Sequence, residues 1–253
     1  MKNNIVSDKS SLVMSDERLD DLELDDLMII QKINGYKFST DSVLLSDFVK
    51  AKPSNFYIDL CSGSGVVAIL VAYKNNLKKA LAIEIQSQLA NMAERSIKYN
   101  GLESRIEVLC EDLSLAHKTI KAEVADVISV NPPYNEVGLT SDTQEIMLAT
   151  HEIKTNLKEI CKASSKLLKF GGKLFMVHRA DRLVDILCAL RENNLEPKVL
   201  RVVYPKASKE PNLVLVEAKK GASAGIKVLS PLILMNEDGT ETDELKTIYN
   251  RKK

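Results

Sequence analysis

No stretch of the 253-residue sequence is apolar for long enough to span a bilayer, so no membrane helix is expected. The opening residues MKNNIVSDKSSLVMSDERLDD contain no uninterrupted apolar segment after the first lysine, and neither a secretory signal nor an anchor is expected there. Cysteine is scarce: Cys61, Cys110, Cys161 and Cys188 show no metal-like pair spacing and lie in or beside apolar segments, as reduced structural thiols do. A cytoplasmic location is the expectation. Neither charge sign is in excess, with 35 basic and 35 acidic residues, so nucleic-acid binding cannot be argued from the total. Internal repeats and low-complexity tracts are also lacking.

What is present is ordinary globular composition, 45% hydrophobic and 28% charged, on a chain long enough for one α/β domain with a sizeable core. From about residue 56, short apolar runs alternate with helical periodicity, the pattern of a parallel sheet covered by helices. The runs predict strands at 56–60, 80–84, 106–110, 125–130, 173–178, 197–203 and 212–218. Crossover helices are expected near 66–73, 86–99, 113–118 and 152–169. Gly171-Gly172 would close the last of these, because a residue just past a helix end often needs positive φ. The connection 204–211 shows no obvious long helix, which favours an antiparallel pairing of the final two strands. The first fifteen and last ten residues are expected to fray.

Two motifs carry chemistry. Asp59-Leu60-Cys61-Ser62-Gly63-Ser64-Gly65 joins an apolar strand to a helical run, where glycines let backbone approach a ligand and the helix N-terminus offers unpaired N–H groups. Glu84 ends the next predicted strand, about 20 residues on, where a carboxylate can accept from both hydroxyls of a ribose. A nucleoside cofactor is the economical reading, although Gly63-Ser64-Gly65-Val66-Val67-Ala68 also fits the G-x-G-x-x-G/A loop of nicotinamide enzymes.

The second motif, Asn131-Pro132-Pro133-Tyr134, follows the fourth predicted strand at the carboxyl edge, where open α/β sheets bind ligands. Two prolines stiffen the backbone and donate no hydrogen bond, which suits the site to an NH₂ group. An aromatic amine is a poor nucleophile, and the Asn131 and Pro132 carbonyls are suited to accept from it as its nitrogen becomes positive. Tyr134 is suited to stack on the ring. A stiff turn is the plainer reading of this tetrapeptide alone. Its pairing with the nucleoside loop on one sheet edge is a combination that a nicotinamide dehydrogenase has no reason to carry.

These residues resemble those of the class I S-adenosylmethionine-dependent methyltransferases and, within them, the N6-adenine enzymes bearing (D/N)-P-P-(Y/F). The resemblance implies a Rossmann-like seven-stranded, mostly parallel sheet ending in an antiparallel hairpin, and S-adenosylmethionine as cofactor. It assigns Asp59, Cys61, Gly63, Gly65 and Glu84 to the cofactor, with Asn131 beside it, and Asp112 to the cofactor's adenine; Asp112 reads equally as a helix N-cap. Cys61 stands where the general loop pattern has glycine. More narrowly, 17–22, 35–45, His151-Glu152, 178–183, 215–221 and Pro231-Leu232 are similar to the bacterial tRNA1(Val) adenine-37 N6-methyltransferase family. That family implies a single domain with a cofactor-lid segment before residue 56, giving Lys37, Thr40 and Asp41 contact roles, a core at 56–235 and a short tail. It also implies a tRNA substrate, no metal, no membrane and a monomer.

Residues 1–30 hold 3 basic and 8 acidic side chains, whereas 170–253 hold 15 and 11. With the strand-end positions, this points to Arg179, Arg182, Arg201, Lys206 and Lys209 as RNA contacts, against the plainer reading of a solvated surface. His151 and Glu152 are expected to order the loop after Tyr134 or start the next helix, and His117 and His178 to be structural. The competing functions are a glutamine methyltransferase acting on protein, which shares Asn-Pro-Pro-Tyr but carries a helical domain ahead of it, and a non-catalytic RNA-binding module.

Overall fold

The computed structural model describes residues 10–34, 38–133 and 157–250. Tyr134, His151, Glu152 and Lys37 lie outside these.

Apolar β-branched runs bounded by turn residues give five parallel strands: β3 (Phe56–Leu60), β4 (Lys79–Glu84), β5 (Ile106–Cys110), β6 (Ala125–Val130) and β7 (Leu168–Arg179). β8 (Leu195–Lys206) and β9 (Leu213–Lys220) complete the sheet as the expected hairpin, with β9 antiparallel to both neighbours. The order β8-β9-β7-β6-β3-β4-β5 is the class I arrangement, and the chain has that Rossmann-like fold. Two short strands, β10 (Lys227–Val228) and β11 (Leu232–Met235), extend the β8 edge, so among the described residues the sheet has nine strands, two more than the seven expected.

Side chains alternate between the faces of this sheet. Tyr57, Val127, Phe175 and Leu215 point into one apolar layer, and Ile58, Ile128, Leu174 and Val216 into the other. The first layer is closed by α1 (Thr40–Phe48), α2 (Val66–Lys74), α3 (Ser87–Tyr99) and α7 (Asp243–Ile248). The second is closed by α4 (Leu113–Thr119), α5 (Leu157–Leu167) and α6 (Leu183–Glu192). Val66 to Ala72 of α2 are buried without a break, so this helix is apolar all round.

Three further expectations are corrected. Gly171-Gly172 does not close a helix: α5 ends at Leu167, and the glycines lie in a bulge of β7, where the pairing steps from Ala125↔Leu168 to Val127↔Lys173. Gly171 takes φ +79 there, and a Cβ on Gly172 would meet the Lys169 carbonyl oxygen at 2.9 Å. Residues 244–250 are not frayed as expected, because α7 buries Leu245 and Ile248 in the first layer. Nor are residues 10–15 loose: the Leu12 carbonyl accepts from Arg95 at 2.6 Å. Finally, an unexpected hairpin, β1 (Glu17–Asp21) and β2 (Met28–Lys32), precedes α1. It is held on α3 by polar contacts: Glu17 pairs with Arg95, Ser96 Oγ accepts from Ile30 N, and Asn100 brackets Met28.

Candidate active site

Because β3, β4, β5, β6 and β7 run parallel, their C-terminal ends share one edge. That edge carries 61–65, Glu84, Asp112, Asn131 and Arg179.

The glycine loop is shaped from beneath by Asp59. This carboxylate is 1% exposed; Oδ1 accepts from Ser129 Oγ at 2.5 Å and Oδ2 from Ser62 Oγ at 2.7 Å, with a further bond from the Ala68 backbone N–H. Ser129 is the cross-strand partner of Asp59, and its hydroxyl also meets Tyr57 Oη at 2.5 Å. Burial is the main cause that raises the Asp59 carboxyl to about 6, and the hydrogen bonds oppose it. Asp59 therefore supports the loop from within the core.

Above this support the chain turns through left-handed conformations at Cys61, Gly63 and Gly65. The two glycines serve different needs. A Cβ on Gly65 would come within 3.2 Å of the Ala93 methyl, so close packing of α2 on α3 requires its absence. A Cβ on Gly63 would meet nothing within 4 Å, so the loop there faces open space. Glu84 closes one side, 5% exposed, with Oε2 accepting from Gly63 N at 2.8 Å and Oε1 from Gln86 N at 3.0 Å. Burial pushes its carboxyl up and, with Asp59, Glu84 and Asp112 nearby, also pushes up the Cys61 thiol, which stays protonated.

Next to Glu84, the Ile85 side chain is 57% exposed, which sequence reading missed although its place after the strand-ending carboxylate is visible. Asp112 caps α4, accepting from Ser114 N at 2.8 Å. A carboxylate on a backbone N–H, an open space beside a glycine, and an uncovered apolar side chain and a second carboxylate on the same sheet edge fit a nucleoside: acceptors for ribose hydroxyls and an apolar face for a base.

Asn131 leaves β6 at the neighbouring position and is half-buried, Pro132 is buried and Pro133 exposed. The Asn131 amide Nδ2 donates to Ser42 Oγ on α1 at 3.1 Å. Thr40 accepts from Tyr249 Oη at 3.4 Å, and Asp41 lies in the first turn of the same helix. Gln31, 3% exposed, donates to Ser64 Oγ at 3.4 Å and accepts from Phe38 N at 3.2 Å, tying the hairpin to the glycine loop and to the approach to α1. Gln31 and Ser42 had no sequence signal, since their partners are 33 and 89 residues away.

Of the basic residues singled out above, Arg179 pairs with Asp181 and Arg182 with Asp185 at the exposed end of β7. Lys206 ends β8 and the exposed Lys209 sits in the β8–β9 turn at the same edge, Lys206 donating to the Glu237 carbonyl at 3.2 Å. Arg201 is set apart: it bonds Glu244 at 2.6 Å and the Ser230 carbonyl at 3.1 Å. His178 is buried, and its Nδ1 accepts from Arg179 N. Burial, with Arg182 close by, lowers it to about 4, so it is neutral at pH 7. Among the described residues no group of three His, Cys, Asp or Glu side chains is placed to hold a metal ion, and no helix is long and apolar enough to cross a membrane.

The family model described as methyltransferase small domain matches residues 37–192, from the approach to α1 to the end of α6. The chain belongs to the methyltransferase small domain family. As a methyltransferase of the class I fold, it uses S-adenosylmethionine as methyl donor. Among curated relatives, it is 26% identical over 208 residues to a tRNA1(Val) (adenine(37)-N6)-methyltransferase of Aeromonas hydrophila, covering 82% of this chain and 86% of that protein. The enzyme of the same name from Bacteroides fragilis is 28% identical over 180 residues, covering 71% and 76%. Among solved structures, a predicted O-methyltransferase of Agrobacterium tumefaciens superposes with a TM-score of 0.69 at 21% identity, over 83% of this methyltransferase and 95% of that chain. M. jannaschii TYW2 in complex with AdoMet superposes at 0.57 with 15% identity, over 81% and 86%.

Proposed function

We propose that this methyltransferase transfers a methyl group to the exocyclic N6 of an adenine in tRNA, and that the target is adenine 37 of tRNA1(Val). The observation that carries this reading is the place of Asn131-Pro132-Pro133 on the sheet edge that holds the glycine loop and Glu84. The name shared by the relatives described above supports the finer assignment.

In this reading Glu84 and the backbone at Gly63 hold the ribose of S-adenosylmethionine, Ile85 and Asp112 its adenine, and Lys37, Thr40 and Asp41 close over it. Bound there, S-adenosylmethionine supplies an electrophilic methyl group. The chain's own contribution is to place and polarise the amine. Asn131 Oδ1 and the Pro132 carbonyl accept its two N–H groups, drawing the lone pair out of the ring and stabilising positive charge that exists only as the bond to carbon forms. Tyr134 stacks on the base and fixes its plane. After transfer the nitrogen sheds one proton to water, so no dedicated base is required of His151 or Glu152.

Arg179, Arg182, Lys206 and Lys209 are proposed to hold the phosphates around the target, and Arg201 to brace the turn behind them. An adenine in a single-stranded loop leaves its stack at a cost of only a few kcal/mol, which suits an anticodon-loop target. The enzyme is expected to act in the cytoplasm on free tRNA. The test is methyl transfer to a tRNA1(Val) transcript and to one with guanine at position 37. Label on the first alone supports the reading; equal label on both removes position 37 as the target.

A further inference from the structure

We infer that Ser42 is a positioning residue that turns the Asn131 amide so that its oxygen, and not its NH₂ group, faces the target amine. The inference rests on the reading in which Asn131 accepts from that amine. A side-chain amide has two chemically opposite ends of almost identical shape: NH₂ only donates and the oxygen only accepts. An amine to be methylated needs an acceptor, so the wrong end would set donor against donor. Backbone placement by β6 and the two prolines does not choose between the ends; a neighbour that accepts from the NH₂ group leaves the oxygen for the amine.

Ser42 is that neighbour. Its hydroxyl takes the hydrogen bond from Asn131 Nδ2 at 3.1 Å, which directs Oδ1 away from α1. Ser42 is 8% exposed, so the exchange of this bond for water is hindered. Ser42 also stands on a rigid mount. The next three residues, Val43, Leu44 and Leu45, are buried in the core, and Phe48 packs edge-on against Phe175 at 5.7 Å. Gln31 holds the Phe38 backbone and Tyr249 bonds Thr40, so α1 is fixed to the hairpin, the sheet and the C-terminal helix. The helix that begins with the proposed lid residues thus also sets the catalytic amide.

A carboxylate has two equivalent oxygens, and this separates orientation from packing. Ser42→Ala is expected to lower kcat about tenfold or more with Asn131 in place, while leaving S-adenosylmethionine affinity unchanged. In an Asn131→Asp background, the same substitution should change kcat less than about twofold. Ser42→Thr, which keeps the hydroxyl, should restore most of the loss. A readout free of turnover is solvent exchange of the Asn131 side-chain amide protons by NMR, their signals identified by absence in Asn131→Asp. Ser42→Ala should speed that exchange about tenfold. Equal kcat losses in both backgrounds, or unchanged amide exchange, overturns the role of Ser42. Failure of the reading beneath it looks different: there Asn131→Ala itself keeps near-normal turnover.

Discussion

Ser129 on β6 donates to the Asp59 carboxylate on β3 at 2.5 Å, directly across the strand pair and beneath the glycine loop. Burial holds Asp59 at about 6 in the folded protein, against 3.8 for the free carboxyl. The folded state thus keeps a proton that the unfolded chain has released, and stability falls as pH rises from about 4 to about 6. At about 1.4 kcal/mol per pH unit, Asp59 accounts for about 3 kcal/mol of that fall. Asp59→Asn keeps a hydrogen-bonding side chain and removes the titration. Urea unfolding across this range should show the wild type losing stability relative to the variant; parallel profiles would rule out a protonated Asp59.

Glu84 and Gly63 test the cofactor site from its two sides. Glu84→Ala removes a charge-assisted acceptor and should weaken S-adenosylmethionine binding by roughly 1.5–3 kcal/mol. Gly63→Ala places a methyl in the open space beside the loop and should weaken binding more than tenfold. Gly101 is the control, since it also has positive φ and open surroundings but lies after α3. Gly101→Ala should cost about 1 kcal/mol of stability and leave affinity intact. Calorimetry showing the same affinity for Gly63→Ala as for Gly101→Ala would remove the loop from the site.

Much of this architecture was legible in the sequence because the signal was local. Strands 56–60, 106–110 and 125–130 coincide with β3, β5 and β6, since each is an apolar run closed by turn residues. The glycine loop and Asn131-Pro132-Pro133 were visible by residue type and spacing. What stayed hidden depends on distant partners. ERLDD does not read as a strand, yet Glu17 is buried because Arg95 waits for it 78 residues on. TDSVLLSDF has little amphipathic period because α1 is held from several sides. Leu183–Glu192, by contrast, carries a helical pattern of its own.

The Glu17–Arg95 pair yields a stability prediction of opposite sign. The Arg95 guanidinium holds the Glu17 carboxyl down at about 2, so its contribution is complete above about 4.5 and is lost as pH falls toward 2. Arg95→Met strands a buried carboxylate and should cost about 3–5 kcal/mol. The double variant Glu17→Gln/Arg95→Met should recover much of this. Denaturation showing no recovery would mean that the arginine stem's packing, and not the charge pair, holds the hairpin.

The proposed RNA face predicts a salt signature. Arg179 and Arg182 are paired with aspartates at the surface, and such pairs are weak enough to yield to phosphate. Alanine at both positions, and separately at Lys206 and Lys209, should lower tRNA affinity and flatten the log–log salt slope by about 0.7–0.9 per lost contact. Arg201→Ala should instead lower stability, because Glu244 and the Ser230 carbonyl lose their partner. Unchanged slopes for both double variants would place the RNA elsewhere.

The chemistry itself is tested most directly by the product. Tritiated methyl transfer from S-adenosylmethionine to unmodified tRNA, run side by side with wild type and Asn131→Ala and followed by digestion to nucleosides, reports both the acceptor and the role of the amide. The wild type should yield N6-methyladenosine, and the variant about 10²–10³ less while binding S-adenosylmethionine normally. Label in any other nucleoside, label in a protein glutamine when release factor is supplied, or equal yield from the variant would contradict the assignment.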